Sequence, residues 1–468
     1  MSQGIGRLGR PAGSWASAEF GIALTDRGSP VGLTIDDLVE VGLRRNPRRA
    51  QLLVSTVLGK HLAADPRTIA GVGRLLGALV GATLNDDRNP LPAAWISAAR
   101  RAVSGAASGA LIEVLDEVQD APGRTPRPRF LVLGFAETAT ALGHLVADQV
   151  GSSYLHSTRR VDGPIPVAAT FSEPHSHATG HLLRPDPAAL LAGPGPVVLV
   201  DDELSTGRTA LNVIEALQTI APRDRYLMAG LVDVRAPRDE LRRAAVADRL
   251  GCRIDVVSLV RGGITVPPGT VERVAATMQS QQPLPGNIAG QARRVAVSGL
   301  DLSWPVGVPD GGRHGLGGHQ RAAFDAAVPR CASALSAACG SATRVLVVGT
   351  DEFMYLPLRL SLELARDPSR RIAFQSTTRS PVHVVDAPGY PIARRIDFRG
   401  APVGSGDEGS DVRHLYNACW PTGRAEADLV VVIDDGQAVP GPDGVAAAVA
   451  AATGAPVLLA VLGPGPPR

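Results

Sequence analysis

The residues of this chain best suited to chemistry lie in VVLVDDELSTGRT, residues 197–209. Four β-favouring apolar residues, Val197 to Val200, read as a buried strand of a parallel sheet, ended by the adjacent carboxylates Asp201 and Asp202. Ser205, Thr206, Gly207, Arg208 and Thr209 follow shortly after, and the apolar spacing of ALNVIEAL fits a helix beginning near Thr209. Hydroxyl residues around one glycine, held between a strand end and a helix start, aim N–H groups and hydroxyls at one point, and such a point binds anions. The segment has neither the Gly-Lys-Ser/Thr ending of a Walker loop nor the three glycines of a dinucleotide turn. Carboxylates one loop-length from a phosphate cradle suit a sugar phosphate, the acids accepting from ribose hydroxyls while the loop holds the 5′-phosphate. The bland alternative is a strand, turn and helix of any doubly wound fold, with the acids capping the helix.

In its apolar strand, acid pair and Ser-Thr-Gly-x-Thr loop, the stretch resembles the signature of type I phosphoribosyltransferases. That resemblance implies Mg²⁺-dependent transfer of phosphoribosyl from phosphoribosyl pyrophosphate (PRPP) to a nitrogenous acceptor, giving a nucleotide-like product and pyrophosphate. Asp201 and Asp202 would then hold the ribose hydroxyls, Asp202 reaching Mg²⁺ indirectly, and Ser205 to Thr209 the 5′-phosphate. In the family, the turn after the first sheet strand holds the pyrophosphate. Here that turn is Phe135-Ala136-Glu137-Thr138-Ala139, between the strand RFLVLG and a helix.

Arg159 and Arg160 end a short strand, SSYLH, where two guanidiniums could neutralise a diphosphate or form a plain surface turn. VAATFSEPHSHATGHLL reads as a strand, a polar excursion and a return, crowding Glu173, His175, His177 and His181 together. Three readings of it stay open: a lid whose Glu173 and His175 move protons and touch phosphate, an exposed loop, and a transition-metal site. Residues 33–62 suggest two helical segments split at Asn46-Pro47, with Arg44, Arg45, Arg48 and Arg49 as either a solvated face or a cap contact. Lys60 is the only lysine of the chain, so an ammonium stands where arginine is the default, and it is a candidate for the pyrophosphate.

The C-terminal part partly repeats the first. RVLVVGTDEFMYLPLRLSLEL echoes RFLVLGFAETATALGHLVADQ, FQSTTRSPV echoes YLHSTRRVD, and DLVVVIDDGQ echoes VVLVDDELST, in the same order. This copy keeps Asp434 and Asp435 without a phosphate loop, so it is expected to hold a sugar phosphate poorly. Its Thr378-Arg379-Ser380-Pro381 is similar to the TRSP domain fused to phosphoribosyltransferases in bacterial tellurite-resistance and stress gene clusters. FSEPHSHA at 171–178 and HLYN at 414–417 also resemble that two-domain family.

The fold class expected is α/β, a parallel sheet with helices on both faces, followed by a second α/β domain that is a degenerate copy. The expected division is an N-terminal arm at 1–30, a phosphoribosyltransferase domain with a helical cap at 31–285, a linker and entry segment at 286–320, and a TRSP-like domain at 321–468. A net charge of +2 gives no global field for nucleic acid or an anionic membrane. Cys252, Cys331, Cys339 and Cys419 are scattered without metal spacing and read as reduced core thiols. Without a signal-like or membrane-length apolar run, a cytoplasmic protein is expected. Its partners would be PRPP and a small acceptor, with a homodimer and other stress-cluster proteins as further candidates. The rival reading is a PRPP- or nucleotide-binding regulator without turnover, since fold alone does not decide function. A third reading, an adenosine-phosphate site in the second copy, is opposed by the missing loop.

Overall fold

The computed structural model describes residues 14–44, 46, 49–87, 89, 91–119, 130–161, 163–172, 180–193, 195–280, 295–401, 411–418 and 427–463. The first sheet has the strand order Ala23–Gly28, Arg253–Thr265, Arg225–Asp233, Val197–Leu204, Leu131–Gly134, Ser153–His156. Only the edge strand Ala23–Gly28 is antiparallel to its neighbour. Successive residues point to opposite faces, and both faces are covered, which is why these strands read as unbroken apolar runs. Leu131, Leu133, Val197, Leu199 and Met228 pack with Leu211, Ile214 and Leu217 of the helix Arg208–Ile220. Val132, Val198, Val200, Leu227 and Ala229 face the other way, toward the helices Pro66–Leu84 and Thr140–Val150. Those two helices approach closely because Gly73 and Gly77 lack side chains. A Cβ on either would stand 2.6 Å from Leu145 or Gln149.

The second sheet runs Val297–Asp301, Val457–Val461, Leu429–Asp434, Arg344–Gly349, Arg371–Ser376, entirely parallel. Its last four strands repeat the order of Arg225–Asp233, Val197–Leu204, Leu131–Gly134 and Ser153–His156 in the first sheet, so the internal copy is real. The likeness reaches individual hydrogen bonds. Thr158 exchanges backbone bonds with Leu182 of the hairpin Ala169–Ser172/Gly180–Leu183, and Thr378 does so with His414 of the hairpin Arg395–Arg399/Val412–Tyr416. The two copies share a core: Ile69, Ala70, Ala141 and Leu145 lie in one apolar cluster with Tyr355, Leu356 and Phe374.

Several expectations need correction. The segment expected as an arm supplies the helix Trp15–Phe20 and the edge strand Ala23–Gly28. The two helices expected in 33–62 are instead a single turn, Ile35–Leu38, and an antiparallel pair, Val39–Leu43 with Gln51–Ser55. Those strands are held by packing of Val41, Leu43, Leu52 and Val54 against Val382, Tyr390 and Tyr416 of the second copy. The expected linker at 286–320 contains the edge strand Val297–Asp301 and a strap whose Leu316 bonds in both directions to Tyr154. Charge does not end the strand at residue 201 either, because Asp201 and Glu203 stay paired with Gly230 and Val232 out to Leu204. Among the described residues no helix is long and apolar enough to cross a membrane.

Candidate functional site

The C-terminal ends of the first sheet open into a cavity of about 490 Å³. Parallel strands place their loops at this edge, where ligands of such sheets bind. On one wall stand Asp201, Asp202 and the loop Ser205 to Thr209. Gly207 caps the helix Arg208–Ile220 with φ 70°, and a Cβ there would lie 2.8 Å from Met228. Glycine is therefore needed both for the backbone and for the approach.

Asp202 donates its N–H to Asp201 Oδ1 at 2.9 Å, and its Oδ2 lies 3.4 Å from Lys60 Nζ. Burial pushes the Asp202 carboxyl up, but the Lys60 ammonium and hydrogen bonds with Asp201, Lys60 and Thr138 hold it below its usual value. The lone lysine thus reaches the acid pair directly. Glu203 is held by Arg49 at 2.9 Å.

The turn Phe135 to Ala139 forms a second wall, and its Ala136–Glu137 peptide is cis. The protein already uses several of its N–H groups: Phe135 donates to Val200 O, Ala136 to Ser157 Oγ and Ala139 to Phe135 O. What the turn offers a ligand centres on Glu137 and Thr138. Arg159 lines the cavity, its Nη2 3.0 Å from His181 Nε2, while His181 Nδ1 meets Ser157 Oγ at 3.0 Å and its ring stacks on Phe171. His181, read from sequence as one of a possible metal cluster, positions an arginine. Arg160 is turned away from the cavity: it is buried and pairs with Asp435 at 2.8 Å, so it is no pyrophosphate ligand in this arrangement. Glu173, His175 and His177 lie outside the described residues, as does Cys419.

The third wall comes from the second copy. Thr378, Arg379, Ser380, Pro381 and His414 line the same cavity. Arg379 Nε forms an ion pair with Glu137, and its buried Nη1 has no hydrogen-bond partner among the described residues. The motif Thr378 to Pro381 drew notice in the sequence, but nothing there showed that it faces the acid pair. Asp397, 2.7 Å from His414, was missed, as was Glu203 as the partner of Arg49, since only long-range pairing brings either pair together.

The matching position in the second copy is filled by the protein. Asp351 donates its N–H to Thr377 Oγ1, as Ala136 does to Ser157, but its carboxylate takes Arg413 at 2.9 Å. Glu352 accepts from Thr158 at 2.7 Å and Arg313 at 2.6 Å, and Asp435 is bridged by Arg160 and Arg313. Burial raises the Glu352 carboxyl, yet Arg313, His156, Arg160 and the Thr158 hydroxyl together hold it far below the usual range. Asp434 goes the other way, pushed up by burial and by Asp435 while bonded to Thr350 and Ala438. Only about 20 Å³ remains open there.

A family described as phosphoribosyl transferase matches residues 38–263, and the TRSP domain that stands C-terminal to it matches residues 310–448. The chain thus carries a domain of the phosphoribosyl transferase family followed by a TRSP domain. Solved structures to which part of the chain is similar include an adenine phosphoribosyl transferase from Trypanosoma brucei, at 18% identity over 34% of this chain with TM-score 0.23. That match spans 62% of the trypanosomal chain. Others are the enzymes of Giardia lamblia (22% identity, 33% of this chain, 81% of that one, TM-score 0.24) and Saccharomyces cerevisiae (13%, 33%, 81%, 0.20). No curated protein matches. The TRSP match begins just before the strap, so that segment belongs to the TRSP domain rather than to a linker.

Proposed function

We propose that the protein transfers phosphoribosyl from PRPP to a small acceptor and releases pyrophosphate in a Mg²⁺-dependent reaction. The observation that carries this reading is one cavity with the acid pair and hydroxyl loop on one wall and, on others, the turn Phe135 to Ala139 with Arg159 and Arg379. Asp201 and Asp202 accept from the ribose hydroxyls, and Ser205 to Thr209 bind the 5′-phosphate. Glu137, Thr138, Arg159, Lys60 and Arg379 meet the pyrophosphate end. Anchoring both anions fixes the anomeric carbon, and such positioning is worth ~7–11 kcal/mol when geometry is right. Positive charge growing on the ribose ring is stabilised by the acids, and negative charge on the leaving oxygen by the guanidiniums. Glu173 and His175 serve in this proposal as proton-handling groups of a lid that keeps water out.

The donor set fits Mg²⁺. It offers two carboxylates beside a phosphate cradle, and among the described residues no cluster of His, Cys, Asp or Glu would cage a transition ion. Mg²⁺ is ordinarily held by one or two carboxylates plus substrate phosphates, and it would add charge neutralisation for the leaving group.

The test is pyrophosphate release from PRPP with Mg²⁺, alone and with a panel of bases. Wild type should turn over, and Asp202→Asn should bind PRPP weakly and release none. Tight PRPP binding without release would favour a regulator, and an Asp202→Asn protein with full turnover would remove the central assignment.

A further inference from the structure

We propose that His414 is the base that takes the proton from the acceptor, so that the TRSP domain contributes a catalytic residue to the cavity of the phosphoribosyltransferase domain. The inference rests on the transferase reading above. His414 and Asp397 stand directly opposite each other in the antiparallel pair Arg395–Arg399/Val412–Tyr416, with His414 Nδ1 2.7 Å from Asp397 Oδ1. An ionised carboxylate only accepts, so Nδ1 carries the hydrogen of this contact and Nε2 is the nitrogen left to take a proton. His414 lines the same cavity as the acid pair and the loop Ser205 to Thr209. Backbone bonds in both directions with Thr378 fix the strand, and the same bonds set the motif that carries Arg379. One rigid element thus presents an anion-binding guanidinium and an oriented imidazole to the same space.

The chemistry needs such a group. As the bond from the acceptor nitrogen to C1′ forms, the bond from C1′ to the pyrophosphate oxygen breaks and its electron pair leaves with that oxygen. The acceptor nitrogen must then lose its proton. Nε2 of His414 takes it and later returns it to solvent, so charge and protons balance. The acceptor class that follows is a heterocycle or amine with an ionisable N–H, rather than a nucleophile that arrives as an anion. Water can use the same base when no acceptor is present.

The experiment uses the full-length protein with PRPP and Mg²⁺. It follows pyrophosphate release with water as acceptor, then with adenine, hypoxanthine and uracil. His414→Ala should lower kcat about 100-fold, leave KM for PRPP within about twofold, and recover part of the rate in added imidazole. Asp397→Asn, which keeps the strand pair and an isosteric partner, should lower kcat about tenfold at unchanged KM. It carries the test should His414→Ala fail to fold. Wild-type kcat in a folded His414→Ala or Asp397→Asn protein, a loss appearing only in KM, or a loss without imidazole rescue would each overturn the proposal while leaving the transferase reading intact. A wild type that releases no pyrophosphate under any of these conditions removes both.

Discussion

At the scale of single residues, the Lys60–Asp202 pair sets the charge state of the acid that the proposed reaction depends on. Lys60 lowers the Asp202 carboxyl, so Lys60→Met should raise it and move the acid limb of the kcat/KM profile for pyrophosphate release to higher pH. The sign for stability follows from the same shift. A carboxyl held below its unfolded value stabilises the fold above about pH 4 and loses that contribution as pH falls through the folded value. Gly207→Ala forces a Cβ into the left-handed region at φ 70° and against Met228. It should cost roughly 1–2 kcal/mol in a urea titration and weaken PRPP binding in calorimetry. At this scale the acid pair and its loop were legible because strand, turn and helix lie within one short run. Arg160 was not, because a guanidinium at a strand end looks alike whether it faces a ligand or, as here, Asp435.

Elements are held at the distances the site needs by packing that has no side chain to spare. Where Pro66–Leu84 crosses Thr140–Val150, Gly73→Ala drives a methyl into Leu145, and overpacking of this kind costs about 1–3 kcal/mol. A lower urea midpoint with unchanged slope would report it. The helix Thr140–Val150 begins directly after the turn Phe135 to Ala139, so the same substitution should also raise KM for PRPP. The helix Arg208–Ile220 was readable from its apolar spacing. The pair Val39–Leu43/Gln51–Ser55 was misread as helical because short apolar runs with a proline between them satisfy either period. The choice was made by apolar partners such as Val382 and Tyr390 far along the chain.

For the whole molecule, the second copy is packed as a partner subunit would be, sharing a core with the first and lending it one wall of the cavity. The copies are also tied by the pairing of Arg160 with Asp435 and of Thr158 with Glu352. Removing Arg313 leaves Glu352 and Asp435 undercompensated in the interior, and Arg313→Gln should cost about 3–5 kcal/mol, read as a lowered thermal midpoint. A chain cut after residue 280 bares Ile69, Ala70, Ala141 and Leu145, and should bind a hydrophobic dye and melt earlier than the full chain.

By itself the sequence determined the alternating β-α framework, its repetition, and the strand, turn and helix that carry the acid pair and the hydroxyl loop, because each is encoded in residues that are neighbours along the chain. Tertiary structure alone decided that Arg379 and His414 line the cavity, and that the matching site of the second copy is closed by Arg313 and Arg413 together with Arg160 of the first. Those outcomes depend on which distant surfaces pack together, and burial there is set by shape and charge complementarity that no local pattern carries.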